Sequence, residues 1–198
     1  MTNLIDLSYF HGNVSIPNLG TNEGNLASVN DFIVKYEKKF LSEILGYKMY
    51  SQLVTAYTPT APISGIWFDL VNGKEFVDSL GRENLYSGLA DISEGDDRKL
   101  SPIANYIYWQ FMKNTATNTV GIGESITATE NAFRVSPKDK MVTAWNEMVE
   151  WNEIMDDFIK QNEEKYPDYI GFTQDVYAVN PPLFGNQILF KKQNSFQI

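Results

Sequence analysis

Apolar residues recur with the period of an α-helix in three stretches of the chain. In residues 28–45 the apolar positions are spaced by 3, 1, 3, 4 and 4, so they define one helical face. Ser28 is the expected N-cap and Gly46 the expected stop, after which "YKMYSQLVTAY" predicts a short second helix. The apolar face consists of Val29, Phe32, Ile33, Tyr36, Phe40 and Ile44.

The two later helices both open with a Ser-Pro pair, in which serine caps the helix and proline occupies its first turn. A helix over residues 102–115 carries no charge between Ile103 and Met112, which predicts a place in the middle of a bundle. A helix over residues 137–164 would be roughly 42 Å long. The apolar face of this long helix consists of Met141, Ala144, Trp145, Met148, Trp151, Met155, Phe158 and Ile159.

Turn residues dominate the segments between and around these helices. In the middle of the chain, "EFVDSLGRENLYSGL" predicts a small hairpin around Leu80-Gly81-Arg82. The predicted fold is mainly α: a helical bundle of three to four helices with a small β-hairpin insertion and extended N- and C-terminal arms. Its parts are an N-terminal arm (1–27), a bundle (28–165) with an insertion (58–99) and a projecting loop (115–135), and a C-terminal arm (166–198).

Composition removes several classes of function. The chain has 25 acidic and 16 basic residues, a formal charge of −9, which disfavours a helix-turn-helix regulator or any protein that grips phosphates. With no cysteine, a disulfide, a thiolate nucleophile and a cysteine metal site are excluded. The N-terminus does not resemble a signal peptide, and no apolar run reaches the length of a membrane span. We therefore expect a protein that is cytosolic or made in a cytosol, with no membrane partner.

Three candidate sites for chemistry fail on their spacing. Gly121-Ile122-Gly123 follows a predicted helix rather than a strand and has no lysine beside it, unlike a phosphate-binding loop. The only histidine, His11, cannot fill a triad or a three-histidine zinc site alone. An EF-hand starting at Asp91 would place Asp96 where glycine is required. The sequence thus predicts no catalytic, metal-binding or cofactor-binding residue and no cofactor.

An acidic stripe on the predicted long helix allows three interpretations. Its members are Glu150, Glu153, Asp157 and Glu164. Most simply, the stripe is the solvated face of an amphipathic helix. It also fits paired carboxylates for acid–base catalysis. Finally, it fits the lining of a channel, where like charge repels phosphate and lets DNA slide past.

The chain resembles structural proteins of tailed phages and of prophages of Bacteroides-like bacteria. The resemblance lies in "VNDFIVKYEKKFLSEILGYKMY", "SPIANYIYWQFMKNTATNTVGIG" and "ENAFRVSPKDKMVTAWNEMVEW", and it spans roughly residues 29–160. These proteins are similar in size and helix order to the head–tail connector (adaptor) proteins of the virion neck. The resemblance implies a ring beneath the portal, commonly of twelve copies, with loops pointing into the channel or at the next ring and a terminus docked on a neighbour. The insertion 58–99 and the long C-terminal segment depart from the smallest such adaptors.

The expectation is therefore a non-enzymatic virion protein of the head–tail junction. Its expected partners are copies of itself (twelve in a ring), the portal protein, and a tail or second neck protein, with DNA passing through without sequence-specific binding. The acidic stripe residues are the channel-facing candidates. A tail-completion or other neck- or capsid-associated protein is an alternative, as is a small cation-dependent enzyme using the acidic stripe. Interface candidates are Ile122, Ile126, Phe133, Phe172, Tyr177, Leu183, Phe184, Phe190 and Phe196.

Overall fold

A computed structural model of the chain describes residues 3–16, 19, 23–57, 64–92, 99–115, 118–120, 123–125 and 138–171. Within these ranges the fold is mainly α, as predicted. The helices are α1 (Glu23–Leu45), α2 (Tyr47–Ala56), α3 (Ile66–Asn72), α4 (Pro102–Thr115) and α5 (Lys138–Gln161). Three antiparallel strand pairs accompany them: β1 (Lys74–Val77) with β2 (Glu83–Tyr86), β3 (Asp91–Ile92) with β4 (Lys99–Leu100), and β5 (Asn118–Val120) with β6 (Gly123–Ser125).

Helix α4 is the centre of the bundle, as its uncharged sequence predicts. Residues 102–108 of α4 are all buried, because α1 and α5 pack against it. The ring of Tyr106 lies 5.2 Å from that of Phe40 in α1 and 6.4 Å from that of Trp145 in α5. Aromatic contacts of this kind bury large areas and hold the three helices at fixed separations.

Two helix boundaries differ from the predicted ones. Helix α1 begins at Glu23, so the predicted arm 1–27 ends too late and Ser28 lies inside the helix on an exposed position. An exposed serine costs a helix only a few tenths of a kcal/mol, so it does not force a start there. Helix α5 covers 24 residues and ends at Gln161 rather than residue 164, because the chain turns over residues 162–165.

The hairpin of β1 and β2 confirms the prediction around Leu80-Gly81-Arg82. Tyr86 stacks on Phe158 of α5 at 4.8 Å, and Phe76 meets the same ring edge-on at 5.5 Å. The Tyr86 hydroxyl donates to the carbonyl oxygen of Leu70 at 2.9 Å. The inner face of the hairpin is therefore fixed to the bundle, while its outer face is exposed.

The described part of the N-terminal segment is folded onto its own bundle rather than extended away from it. Two short 3₁₀ turns, Leu7–Tyr9 and Gly12–Val14, bend the chain. They bring five apolar side chains into the core: Ile5, Tyr9, Phe10, Val14 and Ile16. These residues follow neither a helical nor a strand period, which is why the sequence indicated only an arm.

A buried carboxylate holds the start of this segment. Glu37 of α1 accepts the backbone N–H of Leu4 at 2.9 Å and that of Ile5 at 3.3 Å. Burial raises the pKa of Glu37 to about 7, although the two N–H donors favour its charged form. The pKa of the Tyr50 hydroxyl in α2 is raised, mainly by burial and secondly by the negative charge of Glu37. The second cause indicates that Tyr50 lies near Glu37. In the folded protein, two backbone N–H groups thus replace water as the hydrogen-bond donors to the Glu37 carboxylate.

Stability is expected to fall as pH rises through the titration of Glu37. The folded protein binds this proton more tightly than the unfolded chain, whose carboxyl has the ordinary pKa of 4.5. The free energy of unfolding should therefore decrease between about pH 4.5 and 7, by roughly 3 kcal/mol at most. Glu37→Gln should flatten this slope, whereas Glu153→Gln, at an exposed position, should not. Urea unfolding at pH 5, 6, 7 and 8 measures it, and parallel curves for wild type and Glu37→Gln would contradict it.

One polar side chain in the core of α5 has no partner. Asn152 is completely buried, and neither its Nδ2 nor its Oδ1 makes a hydrogen bond. Burying an amide in this way costs about 1–3 kcal/mol. By contrast, the half-buried bond from Asn105 Nδ2 to Glu147 Oε2 is 3.2 Å long and satisfies both groups.

Replacing Asn152 by leucine, which has as many side-chain heavy atoms, should therefore raise the free energy of unfolding by about 1 kcal/mol. Asn105→Leu is the matched control and should lower it, because Glu147 loses a donor. Thermal unfolding followed by circular dichroism compares the two. Equal destabilisation by both substitutions would show that the Asn152 amide is satisfied after all.

Candidate functional site

A groove of about 480 Å³ lies between the second 3₁₀ turn, the end of β2 and helix α5. It is called the α5 groove below. Five structural elements contribute to its walls, namely the second 3₁₀ turn, β2, β4, α4 and α5, so its shape depends on the whole fold. The lining residues are His11, Gly12, Asn13, Val14, Leu85, Ser87, Leu100, Ser101, Asn105, Glu147, Glu150, Trp151 and Ile154.

Two leucines in the groove are open to solvent. Leu85 is 56% exposed and Leu100 is 49% exposed, while Trp151 and Ile154 are half-buried between them and the core. Complete burial of each leucine side chain would contribute a favourable free energy of roughly 1 kcal/mol or more. A concave surface with apolar side chains at solvent is typical of a site that a partner covers.

Most polar groups in the walls are already hydrogen-bonded to each other. His11 Nε2 lies 2.8 Å from the Lys99 carbonyl oxygen, so this nitrogen carries the proton and donates. Glu147 accepts from Asn13 and from Asn105, each at 3.2 Å. These bonds fix the walls and place no nucleophile beside a base. Across the described ranges, no three His, Cys, Asp or Glu side chains are grouped to hold a metal ion.

Close backbone packing builds the floor of the groove. The Trp151 indole N–H donates to the carbonyl oxygen of Gly88 at 2.9 Å. Gly88 has φ +84, and a Cβ there would lie 2.4 Å from the Val71 carbonyl oxygen, so only glycine fits. Ser101, the predicted cap of α4, donates to the Leu89 carbonyl oxygen at 2.6 Å and accepts the Ile103 N–H at 3.1 Å.

The hairpin tip beside the groove is held by Asp78. Its Oδ1 accepts the backbone N–H groups of Leu80 at 2.9 Å and Arg82 at 2.8 Å, and its Oδ2 pairs with the Arg82 guanidinium at 2.7 Å. The backbone bond from Arg82 is the main reason that the pKa of Asp78 is lowered. Leu80 at the tip is 72% exposed, and Val77 is also exposed. Val77, Leu80 and Leu85 are together called the hairpin patch.

The residues that the sequence proposed for function fall into two groups. All nine interface candidates lie outside the described residues. Of the channel-facing candidates, Glu150 is at the rim of the α5 groove, Glu153 is exposed, Asp157 is half-buried, and Glu164 lies beyond α5 in the turn. The four do not share one helix, because α5 ends before the last of them.

Gly123 of the projecting loop lies in strand β6, whereas Gly121 lies outside the described residues. Strands β5 and β6 are antiparallel, with Val120 opposite Gly123 and residues 121 and 122 between them. A phosphate-binding glycine loop instead leads from a strand into a helix. This arrangement favours a connecting hairpin in the described part of the loop.

Sequence reasoning missed the α5 groove and the hairpin patch. One signal was present, since Leu80 stands at a predicted turn, where polar residues are usual. Another is the period of two in β2, which puts Leu85 on the face opposite the buried Tyr86. Leu100 carries no such signal, because its exposure depends on how β4 lies beside the N-terminal segment.

Comparison of the chain with protein-family models, curated proteins and solved structures finds no match. In the described ranges, no helix has both the length and the hydropathy that crossing a bilayer requires. The interpretation of the groove therefore depends on its own geometry and chemistry.

Alanine at Gly88 should collapse the groove floor. Its Cβ would overlap backbone atoms that cannot move without shifting α3 and the hairpin, so we expect a loss of roughly 3 kcal/mol or more. Gly81→Ala is the control, since Gly81 also has positive φ but nothing within 4 Å of the added Cβ, and should cost about 1–2 kcal/mol. Urea unfolding followed by tryptophan fluorescence measures both. Equal losses would contradict the steric argument.

Proposed function

We propose that this protein is a non-enzymatic virion subunit that assembles with copies of itself into a ring at the head–tail junction of a tailed phage, between portal and tail. The observation that carries the proposal is the pairing of a rigid apolar patch with an apolar groove on one side of the molecule. Polar groups in the walls are engaged with one another, so the surface suits docking better than turnover. The resemblance to phage structural proteins supplies the location.

The hairpin patch has the properties of an assembly contact. Its backbone is fixed at the tip by Asp78 and at the base by Tyr86, so its leucines keep their positions before a partner arrives. Pre-ordered apolar groups lose little conformational entropy on binding. Leu85 belongs to both the hairpin patch and the α5 groove, so the two form one continuous surface.

The charge of the chain supports a place around DNA rather than on it. Glu153 is exposed on α5, and Asp157 follows it by four residues on the same helical face. Carboxylates on a channel wall repel phosphate and prevent the passing DNA from sticking. In this proposal Glu153, Asp157 and Glu164 line the channel, while Glu150 lies at the border between channel and subunit interface.

A ring of this kind uses heterologous contacts, in which one surface of a subunit meets a different surface of the next. The purified protein should form a single closed oligomer, with twelve copies expected. Mass photometry across nanomolar to micromolar concentrations, followed by cryo-electron microscopy, measures the number of copies. A monomer at every concentration, including those of size-exclusion chromatography with light scattering, would end the proposal.

Polar substitution of the hairpin patch should weaken the ring. Val77→Ser with Leu80→Ser removes two exposed apolar groups without touching the core, so folding should be preserved. We expect the concentration of half-assembly to rise at least tenfold, the equivalent of about 1.4 kcal/mol. Val34→Ser is the matched control, because Val34 on α1 is similarly exposed, at 64%, and lies outside the hairpin patch. Equal effects of both changes would argue against the hairpin patch as the contact.

In phage particles, cryo-electron microscopy should place the subunit density at the neck. Density at the tail tip or on the capsid surface would instead support the tail-completion or capsid-associated alternatives.

A further inference from the structure

We propose that the α5 groove receives residues 183–192 of a neighbouring copy, so that the C-terminal segment of one subunit fastens it to the next. This inference rests on the proposed self-assembly and names the surface and the segment that carry it.

The segment matches the groove in apolar character. Residues 183–190 read Leu-Phe-Gly-Asn-Gln-Ile-Leu-Phe, an uncharged run in which five of the eight side chains are large and apolar. The groove offers Leu85 and Leu100 at solvent, with Trp151 and Ile154 behind them. Covering these side chains with those of the segment removes apolar surface of both partners from water, which is the main favourable term in association.

The charges of the two partners are opposite. Residues 172–198 contain one acidic residue, Asp175, and two basic ones, Lys191 and Lys192, for a net charge of +1. The whole chain has −9, so the remainder has −10, because −10 and +1 sum to −9. The two lysines directly follow the apolar run. A segment seated on the groove floor would thus carry its charge to the rim.

The rim of the groove and the neighbouring hairpin supply carboxylates. Glu150 lines the groove, and Glu147 is held in its wall by hydrogen bonds from two amides. On the outer face of the hairpin, Glu75 is the strand partner of Leu85, and Glu83 is two residues before it. Opposite charges at a rim fix the direction in which a segment docks and make its binding sensitive to salt.

The length of the C-terminal segment suits an exchange between copies. It begins after Gly171, close to an anchor in which Asp168 accepts from Lys48 at 2.6 Å and from Gln52 at 2.7 Å, both in α2. Residues 172–198 span up to about 90 Å when extended. That is ample to reach a neighbour, and docking in the next copy generates the heterologous contact that a closed ring needs.

Complementation between two full-length variants tests the exchange. The first variant, Leu85→Glu with Leu100→Glu, blocks the groove and keeps the segment. The second, Phe184→Asp with Phe190→Asp, disables the segment and keeps the groove. Both leucines are exposed, so circular dichroism should show an intact fold in the first variant. Each variant alone should have a concentration of half-assembly at least ten times that of wild type. At concentrations where the wild type assembles, each variant alone should therefore be monomeric.

An equimolar mixture of the two variants should form dimers and nothing larger. The intact segment of the first variant fills the intact groove of the second, and no functional pair is left to continue the ring. Size-exclusion chromatography with multi-angle light scattering resolves the 22.6 kDa monomer, the dimer and the ring. A mixture that stays monomeric would overturn the inference, since it would place the segment in the groove of its own copy or elsewhere.

Charge exchange gives a second readout. Lys191→Glu with Lys192→Glu should raise the concentration of half-assembly several-fold, and adding Glu75→Lys with Glu150→Lys should restore it in part. Glu153→Lys in place of the rim changes is the control and should not restore it. Equal restoration by the control, or none by the rim changes, would contradict a docked position at this rim.

The outcomes separate this inference from the function on which it rests. If wild type forms a ring and both groove and segment variants still form it, the segment does not hold the ring, and the proposed function stands through another contact. If wild type is monomeric throughout, the proposed function fails first.

Discussion

Burial of α4 is the constraint on which the remaining structure depends. A helix whose residues 102–108 are all buried must be covered on every side, and α1 and α5 provide two of the covering faces. The Ser101 cap ties the beginning of α4 to Leu89 and thus to the chain that leaves the β1–β2 hairpin. The position of the hairpin and one wall of the groove therefore follow from how the first turn of α4 is fixed.

The helices were predictable because each carries its own periodic signal. The apolar stripe of α5 and the Ser-Pro start of α4 need no partner to be recognised, and both matched the structure closely. The N-terminal segment was not predictable in this way. Its apolar residues have no period, and its position is set by Glu37, some thirty residues away in sequence. Irregular backbone is placed by nonlocal bonds, which a sequence pattern does not display.

The α5 groove is a still stronger case of the same limit. Leu85 and Leu100 belong to separate strand pairs, and His11 comes from the beginning of the chain. No local pattern brings these residues together. Nonlocal contacts do so, among them the close crossing at Gly88, where the end of α3 and the chain after β2 meet without room for a side chain, and the bond between His11 and the Lys99 carbonyl oxygen. The acidic stripe is the opposite case, in which a regular local pattern predicted more than the structure contains. Its spacing is regular, but α5 ends before Glu164.

The structure combines internally satisfied polar groups with open leucines. Bonds such as those of His11 to Lys99 and Glu147 to Asn13 tie the N-terminal segment to the bundle. Apolar side chains on the adjoining hairpin have no such internal partner in the core. In the proposed ring, this contrast would favour association through the side of the molecule that carries the open leucines.

In the proposed ring, the Asp78 turn has a consequence for the rate at which subunits associate. A loop that must first find its bound shape arrives at a partner in the wrong geometry most of the time, and its on-rate falls by the fraction of competent conformers. The Asp78 carboxylate locks the tip through two backbone donors and one guanidinium, so nearly every collision presents Leu80 in the same orientation. The contacts of Asp78, all within five residues, would thereby set the fraction of collisions that lead to association.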